Sequence, residues 1–190
     1  DWRFWSSFFN SAWNSFMLSL GAAVMITLIA IVFSLYERNL KSKIISSLIK
    51  LSTMGYALPG TLLGICVFSF LHFLDVKFNI NILSSSLLAL MIGYFIRFNA
   101  VAYQNVSSAY ERVSPTLDES GYLFGKNAMQ VFKSIHLPLI KTGLFSSIIL
   151  VFVDIMKELP LTLIMRPLGG DVLSIKIYNY TAEGEWARAS

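Results

Sequence analysis

"FWSSFFNSAWNSFMLSLGAAVMITLIAIVFSLY", residues Phe4 to Tyr36, carries no charged side chain. About 20 apolar residues are enough to take a helix across a bilayer, so this run decides the class of fold. Two more uncharged runs follow, Leu51–Leu74 and Phe78–Ile96. A fourth is interrupted: Thr142–Val153 is apolar, Asp154, Lys157 and Glu158 intrude, and Leu159–Met165 is apolar again. Proline lacks an amide proton and clashes with the preceding turn, so this last span is expected to break near Pro160. Spans are expected at about 12–36, 52–74, 80–103 and 140–165, with a polar loop over 104–139.

The composition agrees. Of 190 residues 55% are hydrophobic and 14% charged, where a soluble domain carries about 25% charged residues. Strands would satisfy their backbone in lipid only as a closed barrel, and these runs are too long and too uniformly apolar for that. A signal peptide does not fit either, because the first run is too long and has no basic leader.

The net charge of +4 points to membrane topology rather than to nucleic acid. Arg38, Lys41, Lys43 and Lys50 lie between spans one and two; Arg112, Lys126, Lys133 and Lys141 lie between spans three and four; Lys77 alone lies between two and three. Basic loops stay cytoplasmic. The start of the chain and the segment after span four are then outside, and the 104–139 loop is inside. Trp2, Trp5 and Trp13 suit the headgroup level. The missing initiator methionine, the aromatic start and the polar end "TAEGEWARAS" suggest a piece of a longer polypeptide.

Few residues invite chemistry. Cys66 is the sole cysteine and sits mid-span, so it reads as a small buried apolar residue. His72 and His136 belong to no ligand-spaced cluster, and no hydrolase or phosphate-binding motif is present. Neither a catalytic residue nor a metal site is assigned.

The polar loop is more informative. "DESGYLFGKNAMQVFKSIHLPLIK", Asp118–Lys141, follows Ser114-Pro115, a helix-starting pair. Asp118 and Glu119 fall where a helix dipole favours acid. Ser120 and Gly121 are small enough for another backbone to approach. Gly125 suits the left-handed residue that ends a helix. Asn127 with Gln130 makes an approximate capping box, and Ala128, Val131, Phe132 and Ile135 share one helix face. Pro138 is expected to stop this second helix. Two short helices with a fixed bend make a mechanical linkage.

Glu119, two small residues, Gly125, then Ile135-x-Leu137-Pro138 resemble the E-A-A…G…I-x-L-P signature of permease subunits of binding-protein-dependent ABC importers of type I. Ser120-Gly121 stands where that signature has two alanines. "GYALPG" (Gly55–Gly60), "YFIRF" (Tyr94–Phe98), "VSPTLDES" (Val113–Ser120) and "DIMKELPLTLIMRP" (Asp154–Pro167) are similar to ferric-iron importer permeases, whose chains often hold two modules in tandem. The chain resembles a second, C-terminal module with about four of five core helices. Thiamine, phosphonate and polyamine importers share much of the pattern.

The resemblance implies an all-α polytopic permease in the bacterial inner membrane. It implies a cytoplasmic ATPase dimer that binds ATP and Mg, a second permease module or copy, and a periplasmic or extracellular substrate-binding protein. No cofactor is implied on this chain. Asp118, Glu119, Ser120, Gly121, Gly125, Phe132, Ile135, Leu137 and Pro138 would carry ATPase coupling. The expected mechanism is alternating access, with the bent loop as the lever.

Asp154, Lys157, Glu158 and Pro160 are the candidates for a pathway or helix break. From Lys141 to Glu158 a helix rises about 25 Å, which puts Glu158 in the outer half of a roughly 30 Å core. Ionisable groups there face a bundle interior or cavity. Lys157 can neutralise the two acids and brace the break, or Glu158 or Asp154 can line a path and meet a cation. Arg97 reads as an anchor that snorkels to the inner headgroups. A rival reading makes the three charges the proton relay of a gradient-driven transporter or channel. An intramembrane enzyme would need a nucleophile, base or metal set that the sequence does not show. Past Gly169-Gly170, a short outer surface helix is expected.

Overall fold

Ser11, Ser15, Ser19, Ala22, Ala23, Ile26, Thr27, Ala30 and Ser34 are all buried, and they recur every three or four residues along one face of the first helix. Small side chains let helices approach closely in lipid, where van der Waals packing rather than the hydrophobic effect holds them together. The computed structural model describes residues 2–40, 42–80, 83–166 and 172–185. Its helices are α1 (Trp2–Leu40), α2 (Lys43–Ser52), α3 (Gly60–Phe78), α4 (Leu87–Glu111), α5 (Pro115–Leu123), α6 (Ala128–Val131), α7 (Leu137–Met156), α8 (Pro160–Met165) and α9 (Leu173–Ala182). There is no strand among the described residues, and four helical rods are long and apolar enough to cross a membrane. The protein is all-α and polytopic.

The small-residue face of α1 packs against α4 and α7, which also pack on each other. Thr27 and Ser147 share a hydrogen bond of 3.0 Å between α1 and α7. Gly143 brings α7 onto α4 so closely that an added Cβ would lie 2.4 Å from the Cβ of Ala109. Leu63, Leu90, Tyr94, Val106, Ile140, Val151 and Leu161 fill the core between the helices. The opposite faces, with Phe70, Phe73, Phe145 and Ile149 exposed, present the apolar surface that a bilayer requires.

The helix bounds shift from those expected in places with identifiable causes. The second span begins at Gly60, not near 52. Ser52 and Thr53 hydroxyls bond back to Ile49 and Lys50 carbonyls and end α2, and a 3₁₀ turn over Met54–Ala57 leads to Pro59. Leu87 opens α4 under a Ser86 cap. Before it, Asp75 accepts the Leu83 and Ser84 amides at 2.8 and 2.7 Å and fixes the turn out of α3. The fourth rod runs unbroken over Ala128–Met156. Pro138 therefore does not stop a helix. It falls in the first turn of α7, and a π-helical turn, Phe132–His136, joins α6 to α7. The rod ends at Lys157–Leu159, and Pro160 opens α8.

Cys66 is exposed, not buried; it lies on the lipid-facing side of α3. At the start of α1, the Leu173 amide donates to Ser15 Oγ at 2.6 Å, so α9 packs against the end of the bundle remote from α5. The Gly169-Gly170 break and the polar tail beyond Glu185 lie outside the described residues.

Candidate functional site

The elbow is built from local signals. Ser114 caps α5 and Pro115 opens it. At the other end the amides of Gly125 and Lys126 donate to the Tyr122 and Gly121 carbonyls at 2.9 and 3.1 Å, and Gly125 takes φ +75°. This is the left-handed closure that glycine adopts without Cβ strain. Asn127 and Gln130 form a reciprocal capping box, each side chain meeting the other's backbone amide at 2.9 Å. Gly121 is buried where α5 folds back: an added Cβ would lie 2.9 Å from Val131 and 3.1 Å from Ile135.

The root of the elbow is a polar knot. Arg38, in the last turn of α1, donates from Nε to Asp118 Oδ2 at 2.8 Å, from Nη1 to the Tyr110 carbonyl at 3.2 Å and from Nη2 to the Val113 carbonyl at 3.0 Å. One guanidinium thus caps the end of α4 and holds the first turn of α5. His136 Nε2 lies 2.6 Å from Asp118 Oδ1. A carboxylate only accepts, so Nε2 carries the proton. The Tyr110 ring meets the imidazole edge-on, with centroids 5.4 Å apart. Burial alone would raise the Asp118 pKa. The hydrogen bonds and charges of His136 and Arg38 outweigh it and hold that carboxyl below the usual carboxylate value.

The residues expected to face a partner divide into two groups. Asp118, Gly121, Phe132 and Ile135 turn inward and hold the elbow together. Glu119, Ser120, Gly125, Leu137 and Pro138 are exposed. The surface that stands out most is one the sequence did not single out: Leu123 is 87% exposed and Phe124 84%, with Met129 and Tyr122 also exposed. Burial of one face of a short helix was legible; the apolar tip became visible only when α5 folded back on α6.

A second knot lies at the helix break. Glu158 is 7% exposed. Its Oε2 accepts from Arg97 Nε at 2.9 Å, and its Oε1 accepts from the Leu161 amide at 3.1 Å, which caps α8. Arg97 Nη1 also donates to the Leu58 carbonyl at 2.8 Å. Arg97 is therefore not a headgroup anchor; it points across the bundle to the acid. Thr162 donates to the Glu158 carbonyl at 2.6 Å and lies 2.8 Å from the Tyr94 hydroxyl. Lys157 pairs with Asp154 at 2.7 Å and is 70% exposed at its side chain. It braces one acid, and Arg97 braces the other. The three charges do not form a connected relay.

Two comparisons bear on this arrangement. Fe(3+)-transport system permease protein FbpB 2 of Haemophilus influenzae is 25% identical over 186 residues, which is 97% of this chain and 36% of that protein. Ferric transport system permease protein FbpB of Actinobacillus pleuropneumoniae is 28% identical over 101 residues, 52% of this chain and 14% of that protein. The chain is a homologue of bacterial ferric-transport permeases. It spans about a third of the length of the first of them and less of the second. No family model matches it. With its four membrane-length helices, it is a multi-pass inner-membrane protein.

Proposed function

We propose that the chain is one permease module of an ATP-driven importer supplied by a substrate-binding protein, with ferric iron as the cargo. The observation that carries this reading is the elbow: a rigid bend at Gly125 with Leu123 and Phe124 exposed at its tip and Asp118 bound at its root to both α1 and α7's rod. An apolar tip on a braced helix pair fits insertion into a groove on a partner. A force applied there reaches the membrane rods without a flexible joint, because Arg38 and His136 both hold the same carboxylate. The likeness to ferric-transport permeases supports the cargo.

On this reading, a cytoplasmic ATPase dimer binds ATP with Mg and closes. Its grooves carry this elbow and that of a second module or copy toward each other, and the path switches sides. Such a switch needs contacts that differ between its two states. The Arg97–Glu158 pair, at the junction of α4, α8 and the turn before α3, is placed to be one of them. The module is oriented with the elbow in the cytoplasm and α9 outside, near the binding protein.

The test is co-purification of the ATPase with the intact permease, together with uptake of ferric iron, thiamine and a phosphonate delivered by purified binding protein. Gly125→Leu is expected to abolish both ATPase retention and uptake. Retention of the ATPase by that variant, or a preference for thiamine or phosphonate, would overturn the corresponding half of the reading.

A further inference from the structure

α2 presents three different faces. Toward the bundle, Ile49 is buried, and Ser52 Oγ accepts from Asn99 Nδ2 of α4 at 3.1 Å. Ile44, Leu48 and Leu51 share a second face, at i, i+4 and i+7 of a helix that turns every 3.6 residues, and are 73%, 60% and 64% exposed. Lys43, Ser47 and Lys50 share the third at the same spacing and are exposed as well. Single apolar residues on a surface are ordinary; a continuous face of them marks a contact.

Two independent observations identify what covers that face. The first is depth. Ser46 Oγ donates to Glu37 at 2.9 Å, and Glu37 is the first charged residue after the uncharged run of α1. The Tyr103 hydroxyl of α4 donates to the same carboxylate, and tyrosine suits the headgroup level. α2 is thus tied to the bundle where its apolar rods turn polar. The exposed apolar series also continues along the chain through Met54 and Leu58 to Leu62 and Ile65 of α3, the helix whose outer side faces lipid.

The second observation is charge. Between Glu37 and Asp75 there is no acidic residue, while Arg38, Lys41, Lys43 and Lys50 all fall there. Among the described residues Lys43 and Lys50 enter no ion pair. A helix with one apolar face and lysines beside it is built to lie in the membrane interface. The lysine stems can run along the acyl boundary while the ammonium groups reach the headgroups. Two unpaired ammonium groups on one side favour anionic headgroups over zwitterionic ones.

We propose that α2 lies in the bilayer interface on the elbow side and binds anionic phospholipid through Lys43 and Lys50, with Ile44, Leu48 and Leu51 set among the acyl chains. The contact bears on the elbow whatever the module transports: Ser46 holds Glu37, and the adjacent Arg38 holds Asp118.

The experiment places nitroxide labels on the intact permease through Leu48→Cys or Ser47→Cys, with Cys66→Ser to remove the native thiol. Nanodiscs are made of phosphatidylcholine with and without phosphatidylglycerol. Collision with dissolved oxygen reports acyl chains, and collision with a soluble nickel chelate reports water. The label at 48 is expected to meet oxygen and the label at 47 to meet nickel. Phosphatidylglycerol should move the label at 48 deeper, and Lys43→Gln with Lys50→Gln should abolish that shift. A label at 48 that meets nickel as readily as the label at 47 overturns the interfacial position. A label at 48 shielded from both probes means that a second copy or another protein covers the face, which also overturns it. A depth that ignores phosphatidylglycerol, or that responds equally in the double glutamine variant, overturns the anionic-lipid assignment.

Discussion

Arg97 on α4 and Glu158, in the break just before α8, hold each other across the bundle at 2.9 Å, with the acid almost fully buried. The pair joins the end of one rod, the start of a short helix and the turn before α3. Removing one partner of a buried pair strands the other charge, at a cost on the order of 3 kcal/mol. Arg97→Met and Glu158→Gln should each lower the thermal midpoint in detergent, and the double replacement by Met should cost less than either. If Glu158→Gln leaves midpoint, uptake and ATPase stimulation unchanged, the pair neither braces nor gates.

Gly60 lies under that pair. A Cβ added there would sit 2.5 Å from Glu158 Oε1 and 3.3 Å from the Arg97 guanidinium carbon. The carboxylate is fixed by two bonds, so Gly60→Ala should displace it and reproduce the Glu158→Gln defect. The two changes should then be strongly non-additive, as expected for neighbours that share partners. A thermal-melt cycle showing simple additivity would separate Gly60 from the pair.

At Gly125 the cost is backbone strain alone, since nothing lies within 4 Å of an added Cβ. A left-handed non-glycine residue costs about 1–2 kcal/mol. Gly125→Ala should loosen the elbow by that amount, and Gly125→Asn by less. Proteolytic nicking between α5 and α6 measures it; equal cutting in both variants and the unaltered chain refutes it.

The pH dependence follows from Asp118. Its pKa is held below the usual carboxylate value, so the folded state favours the ionised form more than the unfolded chain does. The resulting stability is present in full above the unfolded value of about 3.9 and is lost as pH falls through the lower folded value. Melts should show no contribution from Asp118 to pH dependence near neutrality and a loss only in acid, and Asp118→Asn should flatten that acid limb. An acid limb that persists unchanged in Asp118→Asn would contradict the assigned network.

Leu123 and Phe124 make few contacts within the chain because they project from it. Replacing either with Asp should change stability by less than about 0.5 kcal/mol while reducing ATPase retention. A large loss of stability would mean that the tip packs on its own module instead.

Sequence alone determined the spans' existence, the bend at Gly125, the caps at Ser114 and Asn127 and the break before Pro160. Each depends on a short window: a run long enough for the bilayer, a side chain within three residues of an orphan amide, or a missing Cβ. It placed the second span's start too early and stopped a helix at Pro138, because proline in the first turn of a rod and proline ending one look alike until the preceding π turn is seen. Only the tertiary structure decided which charges meet. Arg97 and Glu158 are 61 positions apart, and Arg38 and Asp118 are 80 apart. Lys157, the nearer base to Glu158 in sequence, projects outward instead, because helix phase rather than separation along the chain sets the direction of a side chain.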